Sequence, residues 1–263
     1  MGVDYVVDLG CAPKEALSTQ QIVDLLKARS RAEYVRDMMR SQGDTRSLSE
    51  MTFETVVLRP EGPTREEVSV QRLFDDAAAL DPLAASCESC VARCTPRPFG
   101  CVGYVSYPVT GETEAWLLDQ LPDRLDSSGG TMLENAVRDF RWDGSYTEHL
   151  RGQGDTFLEL DTSPARRWPS GFEITGDQIW QILFGLGHLS PAHSMMCALF
   201  VGLIPHGTPP DALANLSRDT AQVAGHALRY GVDDADHQVG ELQRFFRAMG
   251  LAAAMNVTVL IDG

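Results

Sequence analysis

The stretch Asn256-Val257-Thr258-Val259-Leu260-Ile261 is apolar and rich in β-branched residues, which suit a pleated, half-buried surface. It follows a helical pattern running from Gly240 to about Ala253, so it reads as a strand delivered by a helix. At the other end of the chain, Asp4 to Leu9 (D-Y-V-V-D-L) reads as a buried strand ending at Gly10. If these two strands pair inside one sheet, they unite the chain. The expected fold is therefore α+β: a small mixed β-sheet flanked by many helices, with a Cys-rich metal loop on one edge.

Between these strands the pattern alternates. Ser18 offers an N-cap to a helix over Thr19 to Met39, and Ser41-Gln-Gly-Asp44 stops it. Phe53 to Leu58 and Glu67 to Val70 read as strands around the turn-rich Arg59-Pro-Glu-Gly-Pro-Thr64, and Gln71 to Leu80 reads as a short helix. Val102 to Val109 reads as a further strand, and Glu112 to Leu121 and Thr131 to Phe140 as helices. Ser127-Ser-Gly-Gly130 between them reads as a flexible connection, and Asp143-Gly144 as a turn. Phe157 to Leu160 is expected as a short strand and Ser163 to Ser170 as a loop. No Asp, Glu, Lys or Arg occurs from Gln178 to Pro210. Gly185, Gly187, Ser190, Pro191 and His193 interrupt that run, so two buried helices, Ile179 to Leu186 and Ala192 to Ile204, the second capped at Ser190 and opened by Pro191, explain it better than a membrane span. With 263 residues and 43% hydrophobic content the chain can bury a large core. A single globular domain is expected. It has room for two packed lobes, an α/β lobe over residues 1–110 carrying the cysteine cluster and a mainly helical lobe over 111–263 whose last strand returns to the sheet.

Four cysteines fall close together as Cys87-x-x-Cys90-x-x-x-Cys94-x6-Cys101. If Asp81 to Cys94 is one helix, an advance of about 100° per residue puts Cys87, Cys90 and Cys94 within about 60° of one another. Pro96, Pro98 and Gly100 then let the chain fold back and present Cys101 from the other side. Four thiolates in a closed cup suit zinc, the leading expectation. A [4Fe-4S] cluster is the alternative, although its compact ferredoxin run has spacings of two, two and three and a proline after the last cysteine, where this chain has Val102. Two disulfides, a regulatory dithiol or unrelated thiols are the plainer readings.

The function expected on this basis is a cytoplasmic, metal-binding accessory or interaction protein whose zinc staples a partner-binding loop. Iron–sulfur electron transfer at the same cysteines is the alternative. The second alternative is a zinc enzyme with an open coordination position and His149, His188 or His193 as base. His188 and His193 would lie about 140° apart on a continuous helix, so backbone-bonded core histidines are the simpler reading. Cys197 in an apolar run reads as a small core residue, and Cys11 as a loop thiol with no base beside it. The acidic patch Asp233-Asp-Ala-Asp-His237 lacks the glycine and glutamate of a calcium loop and reads as a solvated connection with a helix cap in it. Twenty-two basic against 37 acidic residues, a net of −15, oppose nucleic acid as a partner. Met1 to Asp8 lacks the basic and long apolar regions of a secretory signal, and Val6 stands where a myristoylation motif wants Ser or Thr, so a reducing cytosol and no lipid anchor are expected.

Overall fold

The computed structural model describes residues 2–59, 62–154, 156–232 and 236–262, with the backbone alone given for 56–59 and for 62 and 63. The α+β expectation holds. In chain order the elements are β1 (Gly2–Val7), α1 (Ala12–Ala16), α2 (Thr19–Ser41), β2 (Thr52–Arg59), β3 (Gly62–Ser69), α3 (Val70–Ala77) and α4 (Asp81–Ala84). Then come β4 (Val102–Ser106), α5 (Gly111–Asp119), α6 (Ser128–Phe140), α7 (Ser145–Arg151), β5 (Ala165–Arg167), β6 (Glu173–Thr175) and α8 (Gly176–Phe184). Last are β7 (His188–Leu189), α9 (Pro191–Phe200), α10 (Pro210–Leu216), α11 (Thr220–Arg229), α12 (His237–Met255) and β8 (Val259–Asp262).

The main sheet has the order β4-β1-β8-β7, and its pairings are antiparallel. The terminal strands meet as their composition requires: Tyr5 pairs with Ile261 and Val7 with Val259. Asn256 in the left-handed region ends α12 and turns the chain into β8. On the other side of β1, Tyr5 faces Gly103, where a Cβ would collide with the tyrosine ring, so glycine there is what admits the ring.

The chain divides into two compact units. One holds Met1–Leu9 with Val91–Gly263, and so the main sheet and α5 to α12. Its core is built on Phe200, Phe245 and Phe246, with Leu117, Leu133, Ile179 and Leu183 all but fully buried around them. The second unit, Gly10–Cys90, pairs the β2–β3 hairpin with α2 and α3 around Ala32, Val35, Met51 and Val70. Ser18 caps α2 through a reciprocal box with Gln21, the N–H of Gln21 donating to Ser18 Oγ at 3.2 Å and the N–H of Ser18 to Gln21 Oε1 at 2.8 Å.

Several segments depart from expectation. Ser127-Ser-Gly-Gly130 is the start of α6, with Ser127 Oγ accepting from the Gly130 N–H at 3.1 Å, because a capping serine outweighs the two glycines it precedes. Ser163 to Ser170 contains β5. Phe157 to Leu160 makes no strand, only a single parallel bridge from Leu158 to Val109. Pro60 and Glu61 of the expected turn, and Asp233 and Asp234 of the acidic patch, lie outside the described residues. Asp236 caps α12 by accepting from the Val239 N–H at 2.8 Å. The charge-free stretch folds as α8, β7 and α9, with Ser190 capping and Pro191 opening α9, and no described helix is long and apolar enough to cross a membrane.

Candidate functional site

The cysteines do not make the expected cup. Among the described residues no group of three or more His, Cys, Asp or Glu side chains is placed to hold a metal ion. The zinc site at Cys87, Cys90, Cys94 and Cys101, the [4Fe-4S] alternative at the same thiols and the metal-binding functions built on them are thereby corrected. The physical reason is local. The helix required over Asp81 to Cys94 stops at Ala84, passes through a single 3-10 turn at Ala85–Cys87 and continues as turns. Ser86, Cys87, Ser89 and Cys90 are weak helix formers, so the common face that would have gathered three sulfurs is lost. Cys87 and Cys90 close one compact unit, whereas Cys94 and Cys101 belong to the other. There the Cys94 N–H donates to the Gly100 carbonyl at 2.7 Å, and the Cys101 carbonyl accepts from the Val7 N–H at 2.9 Å. All six cysteines are thiols.

The remaining sequence candidates have local explanations. Cys197 is fully buried in α9, and burial pushes its thiol pKa well up. Cys11 precedes α1 with no side-chain capping bond. His149 is exposed near the end of α7, and His188 is exposed on β7. His193 stacks on Trp142 at 5.6 Å, and burial, reinforced by His188, lowers its pKa.

The structure instead forms an aromatic cleft of about 390 Å³ in the sheet-bearing unit. Several segments build it. The segment after β4 contributes Tyr107 and Val109, α7 contributes Tyr146, Thr147 and Leu150, the segment after α7 contributes Phe157 and Leu158, α8 and the turn after it contribute Trp180, Phe184 and Gly185 to Gly187, and β1 and β8 supply Val3, Ile261 and Asp262. The rings support one another: Tyr107 meets Phe157 edge-on at 5.1 Å, and Trp180 stacks on Phe184 at 4.9 Å. Phe184 stacks in turn on core residue Phe245 at 4.6 Å. Tyr146 and Leu186, each 47% exposed, leave the cleft open to solvent.

The segment carrying Tyr107 is held by polar side chains on α12. Gln238 Nε2 donates to the carbonyls of Ser106 at 2.7 Å and Pro108 at 2.8 Å, while its Oε1 accepts from the Thr110 N–H at 2.8 Å. Glu241 Oε2 accepts from both the N–H and the hydroxyl of Ser106 at 2.7 Å. Val109 then exchanges backbone bonds with Phe157 and Glu159, which brings Phe157 and Leu158 onto the cleft wall.

A buried ionic triad joins the helices of the opposite wall. Arg151, next after the lining residue Leu150, donates to Glu114 at 2.6 and 3.1 Å and to Asp177 at 2.7 and 3.1 Å. Its Nη1 also donates to the Leu160 carbonyl at 2.6 Å. Two carboxylates share one guanidinium. Burial, with the Asp177 charge, raises the Glu114 pKa despite Arg151, whereas its two carboxylate partners raise that of Arg151. The buried Trp180 indole N–H makes no full hydrogen bond, and its pull on the Glu114 carboxylate is the weakest of the influences there and does not reverse the rise.

The chain matches no family model, no curated protein and no solved structure.

The cleft was outside the reach of sequence spacing, since its lining runs from Val3 through Tyr107, Tyr146 and Trp180 to Ile261. The one signal available was the charge-free run, whose first helix supplies Trp180 and Phe184.

Proposed function

We propose that this protein binds a small organic molecule in the aromatic cleft. The observation that carries the reading is the lining itself: five aromatic side chains, from Tyr107, Tyr146, Phe157, Trp180 and Phe184, around a space of about 390 Å³. That volume lies within the roughly 300–1,000 Å³ typical of ligand pockets, which are mostly apolar with a few polar groups. Here the polar groups are the two tyrosine hydroxyls, Thr147 and Asp262. No Ser, Cys, His or Lys is among the described lining residues. The net charge of −15 argues against a polyanionic partner, and six thiols suit a reducing, cytoplasmic setting.

Ligand-observed NMR with indole, phenol and 2-phenylethanol tests this reading on the full chain and on Leu150→Trp, which fills the cleft from its α7 wall. Binding to the wild type that the variant abolishes supports it. No binding, or equal binding to both chains, overturns it.

A further inference from the structure

We infer that the ligand is an organic cation, an ammonium carried on an aromatic or aliphatic body; this rests on the cleft being a binding site. An aromatic ring presents negative potential at its face and so attracts a cation that sits over it, most strongly at tryptophan. Five rings line this cleft, of which Phe184 is itself stacked between Trp180 and Phe245, and no Lys, Arg or His joins them among the described lining residues. Asp262 is the one acidic residue among the described lining residues.

A second carboxylate adds to that field. Asp4 stands directly opposite Asp262 in the β1–β8 register, and only 8% of it is exposed. Its charge reaches the Tyr107 phenol, whose pKa is pushed up to about 12 by burial first, then by Tyr146 and Asp4. Both aspartates also engage other groups of the protein, so the cation is recognised by the summed field of rings and carboxylates, not by one bare acid.

The helices agree with this sign. The C-terminal end of α8, the negative end of its dipole, lines the cleft at Phe184 and Gly185. The first turn of α7 brings Tyr146 and Thr147, yet there Asp143 already accepts from the Ser145 N–H at 3.0 Å and offsets the positive end. A carboxylate or phosphate ligand would meet no cation among the described lining residues and would exchange its water shell for hydroxyl donors alone.

Isothermal titration of the full chain with 2-phenylethylammonium, 2-phenylethanol and 3-phenylpropionate tests the inference. The three share a ring and differ mainly in charge. The ammonium should bind about five- to tenfold more tightly than the alcohol, and the carboxylate more weakly than both. Asp262→Asn should narrow the gap between ammonium and alcohol by lowering affinity for the ammonium alone. If that variant fails to fold, the ranking on the wild-type chain decides. An alcohol that binds as tightly as the ammonium, or a preferred carboxylate, overturns the cation while leaving the binding site standing. No binding of any of the three, or binding that Leu150→Trp leaves unchanged, overturns the site and the inference with it.

Discussion

Arg151 ties three helices of the sheet-bearing unit together. Its side chain is 4% exposed and its guanidinium is the shared partner of two buried carboxylates. Arg151→Met leaves Glu114 and Asp177 facing each other without it, and breaking a buried pair in this way costs about 3–5 kcal/mol. Urea denaturation at neutral pH should register that loss, and acid should recover part of it as the carboxylates take up protons. Glu114 itself predicts a pH dependence of the opposite sense from an ordinary ion-paired acid. Its folded pKa is raised, so from the unfolded value up to the folded one the native chain holds a proton that the unfolded chain has released. Stability attributable to this group is therefore complete below the usual glutamate range, falls as pH rises through that window and is level above it. Subtracting the stability–pH curve of Glu114→Gln from that of the wild type should leave a descending step; an ascending or flat difference would show that Arg151 outweighs burial.

Among the elements, α12 does two jobs with one sequence. Its apolar residues form the core, and its first turns fasten the Tyr107 segment through Gln238 and Glu241. Gln238→Ala strips three hydrogen bonds from buried or half-buried backbone, a change expected to cost about 1–3 kcal/mol. It should also weaken ligand binding by loosening Tyr107, whereas Asp236→Ala, which removes only the helix cap, should cost about 1 kcal/mol and leave affinity nearly intact. Denaturation curves and cleft titrations on both variants separate the two effects. The capping residues were legible in the sequence because a cap is a local matter: Ser18, Ser190 and an aspartate before α12 each act within three residues. The cysteine run misled for the complementary reason. Its ligand geometry presumed fourteen residues of helix from Asp81 to Cys94, and only the four of α4 are α-helical. Ser127-Ser-Gly-Gly130 erred the other way, since two glycines were read as a break where the serine before them starts a helix.

For the molecule as a whole, the sheet was legible and the cleft was not. Apolar content and β-branching announce β1 and β8 wherever they lie, but nothing local marks Val3, Tyr107 and Trp180 as neighbours around one cavity. The two-unit division also supplies a convenient probe. All four tryptophans, Trp116, Trp142, Trp168 and Trp180, lie in the sheet-bearing unit, and none lies in Gly10–Cys90. Val259 is fully buried in β8, so Val259→Asp places a carboxylate in that core. Tryptophan fluorescence should then show early unfolding of the sheet-bearing unit. Circular dichroism should retain a helical contribution from α2 and α3, and coincident loss of both signals would mean that the two units unfold as one. The order of the strands bears on synthesis as well. β1 is made before both of its neighbours: β4 follows within about a hundred residues, while β8 comes only after α12. A two-stranded ribbon is marginal by itself. At about 5–20 residues per second, β1 spends about 10–50 s of translation awaiting its second neighbour, while the residues of the inserted unit are all available long before. The nascent chain thus carries an apolar strand edge throughout that wait, and that interval is when a holdase chaperone has something to grip.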